Sequence, residues 1–152
     1  MMGLIKEAVF FIIDWVWCLP QTLIGFIISK TLWKGAYIQP FFSQRFGVFV
    51  LMSTSLMESR KNPLFKKLSG FSTGRYIFLH YYDCNERVIR HECGHSIQSR
   101  MLGWLYLPVV GIPSILNNLR ARYSEKVYRT YYSRFPENWA DRLGGVERSI
   151  GC

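Results

Sequence analysis

The sequence predicts an α+β fold: an N-terminal membrane helix, then a small domain with a short antiparallel sheet and two helices that carry its chemistry. Three observations predict it. An apolar stretch runs from residue 8 to residue 28, about 31 Å long as a helix. Two short β-branched and aromatic runs, residues 46–53 and 75–82, read as strands. Two further segments, framed by helix start and stop signals, each hold titratable residues one helical turn apart.

Composition narrows the class. Of 152 residues, 49% are hydrophobic and 19% charged, which excludes a disordered chain. This length buries roughly two-thirds of its unfolded surface, enough for a core without disulfide staples. Cys18, Cys84, Cys93 and Cys152 form no C-x-x-C pair, which argues against a secreted disulfide scaffold or a four-cysteine zinc site and for a reducing compartment. The net charge of +9 suits an anionic partner, either nucleic acid or a cytoplasmic membrane leaflet.

The domain organisation follows. Residues 1–45 are an anchor and juxtamembrane segment, and residues 46–152 the domain. Asp14, Pro20 and Gln21 interrupt the apolar stretch, and an acidic side chain at mid-membrane costs about 3 kcal/mol. A buried core helix or an interfacial helical hairpin stands as the alternative to a span. No A-x-A-like site follows, so the segment is read as retained. Lys30, Lys34 and Arg45 follow it while only Lys6 precedes it, placing the rest of the chain on the cytoplasmic side. Between the strands, residues 60–67 form a basic connection, and a second apolar stretch at 104–119, broken by Pro108, Gly111 and Pro113, reads as a re-entrant or interfacial element or a buried connection.

The most informative segment is residues 83–103. Asp83 and Glu86 form a capping-box start and Gly103 a stop. Inside lies His91-Glu92-Cys93-Gly94-His95, the H-E-x-x-H pattern. At 100° per residue, the two imidazoles sit about 40° apart on one face and converge on one metal ion. Glu92 is displaced from that ligand pair but suited to take a proton from a water the metal holds. Gly94 in a helix interior argues for close approach of another backbone. Cys93 points away from the metal face, toward a stripe with Ile89 and Ile97.

A hydrolytic zinc site takes three protein ligands and leaves one position open. Glu137 is the expected third ligand. Ser133 and Pro136 mark a helix start, Gly144-Gly145 its end, and Glu137 and Asp141 share a face one turn apart. Asp141 is then placed to take the other ring N–H of a ligating histidine. Further expected contacts to substrate, oxyanion or ligand are Tyr131, Tyr132, Arg134, Gln98 and His80.

His91-Glu92-x-x-His95 followed by Glu137-x-x-Ala140-Asp141 resembles the gluzincin group of zinc metallopeptidases, above all its membrane-bound endopeptidases, whose second motif also reads E-x-x-A-D. Short bacterial membrane proteins carry the same two motifs. The resemblance implies a zincin-like domain with one Zn2+ held by His91, His95 and Glu137, Glu92 as general base and Asp141 as support. It also implies a bacterial inner-membrane location and an extended peptide held along the strand at 75–82 by β-addition. The Asn-Pro-Asp-Gly-like ligand setting of site-2-type intramembrane proteases is absent, so the site is expected at or just outside the bilayer.

The expected function is a membrane-associated zinc metalloprotease with a peptide or protein substrate and lipid as partners. The alternative is a catalytically silent interaction or immunity module on the same fold. A nucleic-acid partner, drawn from Arg120, Arg122, Lys126, Arg129 and Arg134 interleaved with tyrosines, is not expected, because lipid affinity explains the charge beside an apolar anchor.

Overall fold

In the computed structural model of the chain, which describes residues 2–31, 37–38, 47–53, 70–80 and 85–148, the N-terminal apolar stretch folds as two helices. Helix α1 (Met2–Ile12) passes into a π-helical turn (Ile13–Trp17), and α2 (Leu19–Thr31) departs from it at 100°. No single helix among the described residues is long and apolar enough to cross a membrane; only the bent pair together has that length and composition. The residues that interrupt the stretch explain the fold-back. Asp14, fully buried in the π turn, accepts from Arg100 Nε and Nη2, each at 2.9 Å. Gln21, also buried, donates through Nε2 to Ser99 Oγ at 3.0 Å and Gly103 O at 2.8 Å. In a straight span both would face hydrocarbon unpaired; bending lets them dock on the protein.

The sheet has the order β1-β2-β4-β3, formed by β1 (Tyr37–Ile38), β2 (Phe49–Ser53), β3 (Gly70–Thr73) and β4 (Tyr76–His80). It is mixed and not antiparallel throughout: β3 and β4 form a hairpin turned at Gly74, with φ at +61°, but β4 lies parallel to β2 in the register Phe49↔Tyr76 to Ser53↔His80. The chain reaches the edge strand β3 before returning as β4 between β3 and β2. A strand paired on both sides and buried throughout reads as a continuous apolar run, as Tyr76-Ile77-Phe78-Leu79 does. It has no free edge, which corrects the expectation that this strand takes a peptide by β-addition.

Helix α3 (Glu86–Leu102) crosses the sheet and adds Ile89 and Cys93 to a core of Val48, Val50, Ile77 and Leu79, while Ile97 is half-buried outside that cluster. Its N-cap is Asn85, whose side chain accepts from Val88 N at 3.0 Å. Gly103, at φ +55°, ends it as expected.

Residues 104–119 are helical: a 3-10 turn (Gly103–Leu105), a π turn (Leu107–Gly111) and α4 (Ile112–Tyr123). Pro108 and Pro113 each stand within the first two positions of their own element, where the helical type changes along the run. After α5 (Glu125–Arg129) and a 3-10 turn (Tyr131–Ser133) comes α6 (Glu137–Gly144), stopped by Gly145 in the left-handed region at φ +68°. Pro136, not Ser133, occupies its N-cap. The expectations resting on Lys34, Arg45, residues 60–67, Asp83, Cys84 and Cys152 lie outside the described residues; Cys18 and Cys93 are free thiols, both buried.

Candidate metal centre

Two glycines let α3 and α6 meet backbone to backbone. A Cβ at Gly94 would fall 1.9 Å from Ala140 O, and one at Gly144 would fall 2.0 Å from Arg90 O. The close approach expected from Gly94 is therefore real, and its partner is the Glu137 helix.

That contact brings the three candidate ligands together. His91 and His95 project from one face of α3, and both Nε2 atoms point at the same oxygen, Glu137 Oε2, at 3.1 and 3.2 Å. The three donor atoms lie within 4.8 Å of one another, and all three residues are buried. This buried group can bind a metal ion.

The surrounding hydrogen bonds fit that use. His91 Nδ1 donates to Asp141 Oδ1 at 2.7 Å, and His95 Nδ1 donates to Gln98 Oε1 at 2.7 Å. Gln98 is oriented by its own amide, which donates to Pro136 O at 3.1 Å. Each ring faces an acceptor at both nitrogens, and with the Nδ1 proton kept on Asp141 or Gln98 a cation at Glu137 would meet the Nε2 lone pairs.

Charge points the same way. Burial opposes a charge on His91, but the hydrogen bonds to Asp141 and Glu137, with the nearby Glu92, outweigh it and hold the imidazole up at about 9. Burial likewise opposes the charge on Glu137, and hydrogen bonds from His91, His95 and Ser114 outweigh it, keeping that carboxyl far below the usual carboxylate range. Asp141 is lowered in the same manner, against burial, by His91 and Arg148. The buried carboxylates require a positive charge among them. A proton on His91 provides it without metal, and a bound cation would take its place.

Glu92 lies beside this group, 6% exposed, and its Oε2 has no hydrogen-bond partner among the described residues. Burial pushes its carboxyl up, with His91 and His95 only partly restraining it. Edge strand β3 passes over it, where a Cβ on Gly70 would touch Glu92 Cγ at 3.6 Å.

The other expected contacts divide. Gln98 orients His95. Tyr132 packs edge-on against His91, with ring centroids 5.3 Å apart, and Tyr131 packs edge-on against Tyr132 at 4.9 Å. Burial, then the Glu137 charge, pushes the Tyr131 phenol up, so it stays a donor. Arg134 does not reach the ligands: its Nε donates to Thr130 Oγ1 at 2.9 Å within its own turn. His80 is buried at the end of β4, outside the ligand group.

Two participants escaped sequence reasoning. Ser114 donates to Glu137 Oε1 at 2.6 Å, fixing the oxygen that faces away from the histidines. Its only signal was a hydroxyl inside an apolar stretch. Arg148 donates twice to Asp141, Nε to Oδ2 at 2.5 Å and Nη2 to Oδ1 at 3.0 Å, and lies 3.3 Å from the Tyr132 ring centroid. Nothing in the local sequence marks it. Compared with protein-family models, curated proteins and solved structures, the chain matches none.

Proposed function

We propose that the chain is a zinc-dependent metallopeptidase of the gluzincin type. The observation that carries the reading is the convergence of His91 Nε2, His95 Nε2 and one Glu137 oxygen within 4.8 Å, beside a buried carboxyl in the H-E-x-x-H position. Two neutral imidazoles and one carboxylate are the donor set of four-coordinate catalytic zinc with one position open. When bound, zinc supplies Lewis acidity, polarising a peptide carbonyl and lowering the pKa of a water.

The chain's own residues do the rest. Asp141 and Gln98 hold the two imidazoles in their ligating tautomer, and Ser114 holds Glu137 by its far oxygen. Glu92, beside the two histidines with its carboxyl pushed up by burial, would accept a proton and return it to the leaving amine. Tyr131 and Tyr132 line the same side, where a phenol can donate to developing negative charge.

The test pairs metal analysis with hydrolysis. Detergent-purified wild type is expected to hold one zinc and to cut members of a broad peptide library. Glu92→Gln is expected to keep the zinc and lose hydrolysis by at least about a hundredfold, the scale of a positioned acid-base group. A Glu92→Gln variant cutting at the wild-type rate overturns the reading, as does a zinc-loaded wild type that cuts nothing.

A further inference from the structure

Helix α4 is inside out for a protein surrounded by water. Its apolar side chains at helical spacing, Ile112, Ile115, Leu116, Leu119 and Tyr123, are exposed, while its polar Ser114 and Asn117 turn inward to Glu137 and to Phe135 O. Amphipathic helices in water show the reverse. Just before it, Trp104 and Leu105 are 62% and 61% exposed.

This face continues onto the N-terminal helix pair. The Trp104 indole donates to Val16 O at 3.1 Å and the Trp17 indole to Arg100 O at 3.0 Å, which sets the exposed apex of the pair against the exposed end of α3. From there Leu23, Ile24 and Ile27 carry the exposed apolar surface along α2. Several polar groups described on these segments are turned back into the protein. Both indole N–H groups are used internally, Asp14 is buried on Arg100, and the Ser29 and Thr31 hydroxyls donate to Phe26 O and Ile27 O of their own helix. A protein–protein interface presents about one hydrogen bond per 100–200 Å2, whereas hydrocarbon requires none. Exposed basic residues stand at the ends of the apolar helices, Lys30 on α2 and Arg120 on α4, with Lys126 beyond.

We propose that α1–α2 and residues 101–119 form one surface that enters a single leaflet of an anionic lipid bilayer, so that the chain is monotopic and the Asp14 bend keeps both ends of the helix pair on one side. This surface is independent of the metal and of any hydrolysis.

The experiment uses the full chain with vesicles of phosphatidylglycerol and phosphatidylethanolamine. Wild type is expected to float with the vesicles and to stay bound in high salt. Leu105→Glu/Ile112→Glu/Ile115→Glu changes only exposed positions, and is expected to lower the partition constant at least about tenfold with unchanged circular dichroism and melting. In sealed membranes, an epitope ahead of Met1 and a Lys126→Cys label, in a chain with Cys84 and Cys152 replaced by serine, are expected to be accessible from the same side. Accessibility from opposite sides establishes a span and overturns the proposal. So does undiminished vesicle binding by a folded triple variant, or a defined dimer that ignores vesicles.

Discussion

Arg148 grips Asp141 with two hydrogen bonds, and Asp141 in turn accepts the Nδ1 proton of His91 at 2.7 Å. Arg148, beyond α6, thereby positions the acid behind a candidate metal ligand. Asp141→Ala is expected to weaken zinc binding about 10- to 100-fold, the usual cost of losing a carboxylate behind a ligating histidine. Arg148→Ala is expected to weaken it less, and chelator competition measures both. Unchanged affinity in Asp141→Ala would separate the acid from metal holding.

Zinc binding should release a proton at neutral pH. With His91 held at about 9 in the metal-free protein, its imidazole is charged at pH 7 and must lose that proton to ligate. Calorimetry in buffers of differing ionisation enthalpy is expected to find about one proton released per zinc. A heat independent of the buffer contradicts this.

The stability of the metal-free protein follows from the same groups. His91 has a folded pKa above its ordinary 6.5, so its charged form stabilises fully below pH 6.5 and this contribution is lost as pH rises through about 9. Glu137 and Asp141 are lowered, so their contribution is present above the ordinary carboxylate range and is lost as pH falls through their depressed values. Glu92 is raised, so the stability its protonated form contributes is lost as pH rises above the ordinary carboxylate range, and thermal unfolding of chelator-treated protein should therefore peak at about pH 5 and decline on both sides. A melting temperature still rising at pH 9 contradicts the His91 assignment.

The contact between α3 and α6 tolerates no side chain at its glycines. Gly94→Ala would place a methyl 1.9 Å from a backbone oxygen, and is expected to cost several kcal/mol, on the order of 3 or more, together with the zinc site. Gly111→Ala, whose nearest neighbour stands at 3.6 Å, is expected to stay within about 1 kcal/mol of wild type. Denaturant unfolding and zinc content distinguish them.

The bend rests on Asp14. Asp14→Ala leaves the Arg100 guanidinium without its acid in a site where the Arg100 side chain is 13% exposed, and is expected to cost about 3–5 kcal/mol. Asp14→Leu with Arg100→Met should recover only part of that loss, because Arg75, whose Nε lies 3.7 Å from Asp14 and whose side chain is 8% exposed, still loses its acid. Equal destabilisation by the double variant would show that the ion pair is not what matters there.

The ligand set was largely legible because its rules are local. His91 and His95 at i and i+4 must share a helix face wherever that helix sits, and Glu137 and Asp141 repeat the rule in α6. Gly94 and Gly103 were readable for the same reason, since a glycine inside or just past a helix announces a close approach or a stop. Asp14 and Gln21 announced that the apolar stretch was no ordinary span, without naming their partners.

By itself the sequence determined the two helices that carry His91, His95, Glu137 and Asp141, the faces those side chains share, and that Asp14 disturbs a simple span. Only the tertiary structure decided that Arg100 answers Asp14 by a 100° bend, that β4 runs parallel to β2 at the centre of the sheet, and that Ser114 holds Glu137 and Arg148 holds Asp141 while Arg134 stays within its own turn. The physical reason is range. Helical periodicity acts over one turn of chain, whereas strand order, ion pairing and the choice of supporting donors depend on which distant segments pack together, and no spacing along the chain encodes that.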